Sequence, residues 1–219
     1  MAMHLQREIE KLKRRIILLA GTVEHRLADA VRALIAPDAA LAKSIRDQDI
    51  EVDLAEVDVE EECLKILALH QPVANDLRFI VAVLKINNDL ERIGDEAVNI
   101  AGRVLHLIGQ PAVEPPFELA PVTSQVQAML KQSLDALVNL DAAQAHAVRQ
   151  ADDSVDDLVR EQFERVKAEI RLHPERVDSL IEYMRIFRYL ERIADHATNI
   201  AEDVIYLTEG QIVRHQEER

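Results

Sequence analysis

The sequence contains few of the residues that interrupt helices or build disulfide frameworks. Its 219 residues include one cysteine, five glycines, seven prolines and no tryptophan, and aromatic residues make up 3% of the chain. A lone cysteine, Cys63, excludes an internal disulfide and a CxxC metal or redox site. Leucine, alanine, isoleucine, valine, glutamate and arginine predominate, and hydrophobic residues make up 48%. This composition predicts an all-α fold with a substantial core.

Positive charge is also scarce. Forty acidic residues against 26 lysines and arginines give a formal net charge of -14, which would repel nucleic acid and anionic membrane surfaces. No apolar run approaches the roughly 20 residues that cross a bilayer, and the segment Met1 to Arg15 is too charged for a signal peptide. We therefore expect a cytoplasmic protein with no nucleic-acid partner and no direct membrane insertion, peripherally associated with a membrane only through partners.

Prolines divide the chain into six predicted helical segments. A proline inside a helix removes a backbone hydrogen bond, so helices should end near Pro37, Pro72 and Pro174. Four further prolines cluster between Gln110 and Pro121. The predicted helices are residues 4–35, 39–70, 74–109, 122–141, 143–172 and 176–209.

The third and sixth segments are two copies of one sequence. Residues 90–104 and 190–204 are identical at 10 of 15 positions. Both have apolar residues at spacings of three and four, which is typical of a helix with one buried stripe. These residues are Val83, Ile86, Leu90, Ile93, Ala97, Ile100, Val104 and Leu107, and then Tyr183, Ile186, Leu190, Ile193, Ala197, Ile200, Val204 and Leu207. Each copy ends a set of three helices. The sequence thus predicts two tandem pseudo-symmetric three-helix bundles, at 1–110 and 122–219, with a proline-rich linker at 111–121.

Each copy of the repeat also has a glutamate and an aspartate four residues apart. These are Glu91 with Asp95, and Glu191 with Asp195. Residues four apart share one helix face. If Leu90 and its equivalents are buried, both pairs lie off the buried stripe, toward the outer surface of the bundle.

The middle helix of each half has comparable aspartate pairs. The first half contains Asp49 with Asp53; the second contains Asp152 with Asp156, and also Asp153 with Asp157 at the same spacing. Either of the two latter pairs could be the counterpart of the first. The first half continues its acidic stripe through Glu56 and Glu60, where the second half has Val159 and Phe163. We therefore expect fewer metal ligands in the second half.

Repeated acidic pairs destabilise helices unless their negative charge is neutralised. Like charges one turn apart destabilise a helix by roughly 0.2–0.5 kcal/mol per pair, and a bound cation would offset this cost. Carboxylates from adjacent antiparallel helices suit iron, manganese, magnesium or calcium, and suit zinc less well. Supporting ligands are expected at Glu60, Asn99, His196 and Asn199.

The alternative is an ordinary solvated helix face, with Arg92 and Arg192 pairing the nearby aspartates. Fourfold recurrence favours the metal interpretation. A glycine inside a helix costs about 1 kcal/mol relative to alanine, and Gly94, like its counterpart Ala194, is small. We expect these small residues to keep space between the acids.

The second helix has an additional apolar stripe. Ile50, Val57 and Leu64 lie on a different side of the helix from Val52 and Val59. This second stripe either packs within the bundle or forms a contact between subunits, and the sequence is compatible with both.

The chain resembles the PhoU family of bacterial phosphate-signalling regulators. The resemblance depends on HQPVANDLRFIV at residues 70–81, on LERIGDEAVNIA and LERIADHATNIA, and on the two-half layout. It implies two three-helix bundles with metal clusters, often multinuclear iron, bound by E/DXXXD motifs on the bundle surface. The implied ligands are Asp49, Asp53, Glu91, Asp95, Asp152, Asp156, Glu191 and Asp195.

The resemblance also implies a function. Family members are thought to restrain phosphate-starvation signalling and phosphate uptake, acting between the ATPase and permease of a phosphate ABC transporter and a sensor histidine kinase. A homodimer is expected.

The leading hypothesis is thus a non-enzymatic, metal-binding regulator. One rival is a helical adaptor without metal. Another is a ferritin-type di-metal oxidase, but such enzymes use Glu-x-x-His pairs and the sequence contains none.

Overall fold

The structure is a computed structural model that describes residues 2–110 and 118–213. It is all-helical over these residues. The helices are α1 (Ala2–Ile35), α2 (Ala39–Asp47), α3 (Asp49–His70), α4 (Ala74–Ile108), α5 (Leu119–Asn139), α6 (Ala142–Leu172) and α7 (Val177–Glu209), with a 3₁₀ turn at Pro174–Arg176 before α7.

All six predicted segments are helical, but the second is interrupted. Gln48 leaves helical geometry at φ -93° and ψ 7° and ends α2, so α3 begins at Asp49. The carbonyl of Gln48 accepts a hydrogen bond of 2.6 Å from Arg26 Nη2 on α1 and one of 3.1 Å from the backbone N–H of Glu51. A distant arginine therefore stabilises the interruption, which the helical periodicity did not reveal.

Helix α5 begins earlier than predicted. It starts at Leu119 and includes Pro121 in its first turn, where a missing backbone N–H costs nothing because the first turn has no acceptor for it. The predicted linker therefore overlaps a helix at its carboxyl end. Residues 111–117 of the linker lie outside the described residues, so the boundaries of the two halves stay predictions.

The two long repeat helices, α4 and α7, pack side by side in the middle of the molecule and run antiparallel. Three ion pairs show their register: Lys85 with Asp203 at 3.2 Å, Glu96 with Arg192 at 3.1 Å, and Arg103 with Glu182 at 3.1 Å. As numbers rise along α4, the partner numbers fall along α7.

Around this central pair, α1, α2 and α3 pack on α4, while α5 and α6 pack on α7. Buried apolar side chains from all seven helices form one continuous cluster. Leu90, Ile93 and their equivalents Leu190 and Ile193 are fully buried in it. Within the described ranges, none of the helices is both long and apolar enough to span a bilayer.

Candidate metal centres

The first candidate centre lies where α3 crosses α4. Asp49 and Asp53 of α3 and Asp95 of α4 each have a carboxylate oxygen within 4.8 Å of the other two. Asp49 is half-buried, whereas Asp53 and Asp95 are exposed. The structure therefore brings together three of the four aspartate and glutamate residues predicted for this half, at the surface of the bundle.

Gly94 determines how closely the two helices approach at this point. A Cβ atom on Gly94 would lie 3.2 Å from Cγ1 of Val52, which is the buried residue next to Asp53. The small residue at this position leaves room for Val52 between the helices, and not, as we expected from the sequence, for the acids. The close approach brings Asp95 next to the aspartates of α3.

Burial and mutual repulsion act on these carboxylates in the same direction. Burial is the main cause that raises the pKa of Asp49, with Asp53 adding to it, and the Arg26 guanidinium lowers it. Burial likewise raises the pKa of Asp95, followed by the charges of Asp49 and Asp53. The cluster is therefore short of positive charge.

Two glutamates extend the first centre along both helices. Glu91 is half-buried, and its pKa is raised by burial and then by Asp95 and Glu56. The pKa of Glu56 is raised by burial and then by Glu60. Asn87 on α4 donates to Glu56 Oε1 at 3.1 Å and to its backbone carbonyl at 2.9 Å. The first half thus presents a row of carboxylates along the groove between α3 and α4.

The second candidate centre lies between α6 and α7. Burial raises the pKa of Asp152 to about 6, although Thr198 donates a hydrogen bond of 3.1 Å to this carboxylate. The charges of Asp195 and Asp156 raise the pKa of Asp152 further. For Asp195, burial raises the pKa most, followed by Glu191 and Asp156. The charges of Asp156, Glu191 and Asp195 thus act on one patch of the second half. Among the described residues, however, three carboxylate oxygens come within 4.8 Å of one another in the first half and not in the second.

The alternative aspartate pair of α6 lies on another face. Asp153 and Asp157 are exposed, and Asp157 accepts a hydrogen bond of 2.6 Å from Arg160 on its own helix. Asp152 and Asp156 are half-buried against α7. In the structure, the counterpart of the first-half pair is therefore Asp152 with Asp156.

The two centres differ at the positions of Glu56 and Glu60, which lengthen the row of carboxylates in the first half. The second half has buried Val159 and half-buried Phe163 at these positions, and Phe187 replaces Asn87. The rings of Phe163 and Phe187 pack edge to face, with their centroids 6.5 Å apart. An aromatic pair therefore occupies the region where the first half has carboxylates.

Three of the expected supporting ligands have other partners. His196 Nδ1 lies 2.8 Å from Asp89 Oδ1, and Asn199 donates to the same oxygen at 3.2 Å. These residues are three apart and share the face of α7 that packs on α4, whereas Asp195 faces α6. Asn99 donates to Glu96 at 3.1 Å. Of the four expected supporting residues, Glu60 lies beside Glu56 in the acidic row, and His196 is near enough to Asp195 for its charge to act on that carboxylate.

Sequence reasoning missed Arg26, Asn87 and Asp89. Arg26 is buried and lies 3.2 Å from Asp49 Oδ1. None of the three belongs to a repeated motif, and each acts on residues more than 20 positions away in the chain. Asn87 and Asp89 stand with Asn88 in a run of three polar residues, and the sequence did not indicate that Asn87 and Asp89 are buried while Asn88 is exposed.

The donor set fits a hard cation. All predicted ligands are carboxylates, which iron, manganese, magnesium and calcium accept. Burial, followed by neighbouring negative charge, raises the pKa values of six of them: Asp49, Glu91, Asp95, Asp152, Asp156 and Asp195. Arg26 at Asp49 and Arg188, whose Nη1 lies 2.6 Å from Glu191 Oε1, neutralise part of this negative charge. A metal ion would compete with these arginines for the same oxygens.

Comparison with known proteins agrees with the division of the chain into two similar halves. The family model of the PhoU domain matches residues 16–104 and again residues 121–204, so it covers both halves. The chain belongs to the PhoU family. Each match ends within the repeat helix that carries the Glu and Asp pair.

Individual PhoU relatives match over nearly the whole chain. The phosphate-specific transport system accessory protein PhoU homolog of Pseudomonas aeruginosa is 39% identical over 95% of this chain and 86% of its own length. The homolog of Aquifex aeolicus is 37% identical over 98% of this chain and 97% of its own. The crystal structure of PhoU from Pseudomonas aeruginosa superposes with a TM-score of 0.91 at 38% identity, over 94% of this chain and 99% of that one.

A PhoU structure from a second bacterium shares the same fold. The crystal structure of the phosphate transport system regulatory protein PhoU from Streptococcus pneumoniae superposes with a TM-score of 0.84 at 29% identity, over 95% of this chain and 99% of that chain. These matches confirm the predicted all-α fold of two three-helix halves. PhoU proteins are regulatory accessory proteins, so the prediction of a non-enzymatic protein is also confirmed.

Proposed function

We propose that this chain is a regulator of phosphate uptake and phosphate-starvation signalling that binds metal ions at two surface carboxylate centres. Several relatives are named for the phosphate-specific transport system, which supports the transport role. The observation that carries the metal role is the cluster of Asp49, Asp53 and Asp95, whose carboxylate oxygens lie within 4.8 Å of one another. The second half has acidic residues at the matched positions, and burial raises the pKa of Asp95 and of its counterpart Asp195.

The same family membership supports an adaptor role. We propose that the protein contacts the ATPase or permease of a phosphate ABC transporter and a sensor histidine kinase, and that it restrains signalling when phosphate is plentiful. A homodimer is part of this proposal. Light scattering on the purified protein tests the dimer, and binding to purified transporter and kinase domains tests the partners.

The two centres are proposed to differ in capacity. The first half offers Asp49, Asp53, Glu91 and Asp95, and the row continues through Glu56 and Glu60. The second half offers four carboxylates, and the aromatic pair Phe163 and Phe187 occupies the region where the first half has Glu56 and Glu60. We therefore propose that the first centre holds more metal, with iron as the leading candidate and manganese, magnesium, calcium or zinc as alternatives.

Elemental analysis of protein purified without added metal or chelator tests this proposal. Asp95→Asn and Asp195→Asn should each lower the bound metal while the helix content stays unchanged, and the loss should be greater for Asp95→Asn. Asp157→Asn is the matched control, because Asp157 is exposed and paired within its own helix. Equal metal content in the wild type and in both site variants would contradict the proposal.

A metal-free adaptor is the second candidate function, and the arginines at Asp49 and Glu191 favour it. In that case the acidic surface would serve basic partner surfaces alone. Chelator-treated protein would then bind its partners as well as untreated protein does. Partner binding that disappears with the metal and returns on its addition would support the metal-dependent regulator instead.

A further inference from the structure

The outer face of α3 has an apolar stripe that no other part of the described chain covers. Ile50, Leu54, Val57 and Leu64 are 62%, 62%, 45% and 54% exposed. Ile50, Val57 and Leu64 follow one another at intervals of seven residues, and Leu54 lies one turn after Ile50. On a helix this spacing forms a continuous seam along one face. The sequence left two explanations open, and over residues 2–110 and 118–213 the stripe does not pack within the bundle.

The opposite face of α3 supplies the core contact of this helix. Val52, Val59, Cys63 and Ile66 are buried, and they lie roughly opposite the exposed stripe. Helix α3 therefore does not need its outer stripe for folding. Exposed large apolar side chains aligned on one helix face are typical of a surface that docks on a partner.

Strong negative charge lines both sides of this stripe. The carboxylates of α3 are Asp49, Asp53, Glu56 and Glu60 on the side of α4, Glu51, Asp58 and Glu62 on the side of α1, and Glu61 within the stripe. Lys65 is the only lysine or arginine in the helix. Any surface that covers the stripe must therefore face a dense array of acids.

The negative charge beside the α3 stripe indicates which kind of partner could cover it. A second copy related by two-fold symmetry would place the same stripe against itself, with identical acids facing one another. Like charges in that arrangement oppose association. A helix or groove that combines apolar anchors with lysines and arginines would instead gain both burial and charge complementarity.

We propose that the α3 stripe is the docking surface for a basic, amphipathic helical segment of a partner protein. Ile50, Val57 and Leu64 are the apolar anchors, and the flanking carboxylates attract the basic residues. This inference deepens the adaptor role proposed above and names the surface and the chemistry of the partner. Because Asp49 and Asp53 are also proposed metal ligands, docking is tested with the metal removed.

A synthetic peptide tests the surface. The probe is a fluorescent three-heptad helical peptide with leucines on one face and lysines and arginines elsewhere; a second peptide of the same composition has its leucines scrambled. Binding to the full chain is followed by anisotropy in the presence of a chelator. Val57→Glu and Leu64→Glu should each weaken binding of the first peptide about tenfold or more.

The sign of this effect separates apolar docking from charge attraction. Each substitution adds a negative charge, so attraction by charge alone would strengthen binding of a basic peptide. Leu69→Glu is the matched control, because Leu69 is an exposed leucine of α3 that lies off the stripe. It should bind as the wild type does, and circular dichroism should show unchanged helicity in all three variants.

Three results would overturn the proposal. One is equal binding of both peptides, or no binding of either. Another is binding by Val57→Glu that is as tight as or tighter than that of the wild type. The third is light scattering in which the wild type is a dimer and Val57→Glu is a monomer, because a second copy would then cover the stripe. Metal content of the same preparations is measured separately, so a failure of the metal centres does not affect this test.

Discussion

Arg26 shows how a single buried residue can link the fold to the first metal centre. Its guanidinium donates to the Gln48 carbonyl at 2.6 Å, where α2 ends, and pairs with Asp49 Oδ1 at 3.2 Å, where α3 begins. The Arg26 guanidinium therefore stabilises the break between α2 and α3 and also partly neutralises the aspartate cluster. These two effects should respond in opposite ways to its removal.

We predict that Arg26→Gln destabilises the metal-free protein and tightens metal binding at the first centre. Losing hydrogen bonds to a charged group costs about 1.5–3 kcal/mol in unfolding free energy, measured by urea denaturation in a chelator. Metal affinity should rise because Asp49 no longer has a competing cation.

Arg188→Gln is the informative comparison for this prediction. Arg188 is exposed and pairs with Glu191 in the second centre, and exposed pairs contribute little to stability. Its replacement should leave the unfolding free energy nearly unchanged. Weaker metal binding in Arg26→Gln than in the wild type would show that the arginine supports the metal centre instead of competing with it.

At the scale of helices, the distances between Asp95 on α4 and the aspartates on α3 depend on how closely these two helices pack. Gly94 meets Val52 across this contact, whereas a Cβ on Gly102 of the same helix would have no neighbour within 4 Å. The two glycines therefore test the same substitution in a crowded and in an open setting.

We predict that Gly102→Ala stabilises the protein by about 0.5–1 kcal/mol, because alanine loses less backbone entropy than glycine in a helix. Gly94→Ala should gain less than Gly102→Ala or should lose stability, because its Cβ would lie 3.2 Å from Val52 Cγ1. It should also weaken metal binding at the first centre by moving Asp95 away from α3. Urea denaturation and metal titration of both variants measure these effects, and equal gains in stability would show that Val52 yields without cost.

Most of the helices followed from sequence, whereas the contacts between them did not. Proline positions and the 3.6-residue period locate helices because both are local properties of the chain. The break at Gln48 depends on Arg26, 22 residues away. The partner of His196 is Asp89, which is 107 residues away. Spacing places a residue on a helix face, but only packing decides which neighbouring helix that face meets.

For the whole molecule, the two acidic centres add to a chain whose formal net charge is already -14. Burial raises the pKa of carboxylates in both halves, with Asp152 raised to about 6 from an ordinary value of 3.8. The folded protein therefore binds protons at these groups more tightly than the unfolded chain does. Folding and proton binding are coupled, and a metal ion at the same oxygens would replace the protons.

The sign of the resulting pH dependence follows from linkage. A carboxyl whose pKa is raised by folding contributes stability that is fully present below its unfolded pKa and is lost as the pH rises through its folded pKa. For Asp152 this window extends from pH 3.8 to about 6. We predict that the metal-free protein loses thermal stability across this window, and that Asp152→Asn loses less because the titrating group is absent.

Metal should reverse this trend at neutral pH. A ligand at about 100 times its dissociation constant adds about 2.7 kcal/mol to the unfolding free energy, and it binds only where the carboxylates are ionised. Thermal unfolding of the wild type in chelator and in added iron or manganese, at several pH values, should therefore give curves that separate as the pH rises. Curves that stay parallel, or a difference that grows toward low pH, would mean that metal ions do not bind to these carboxylates.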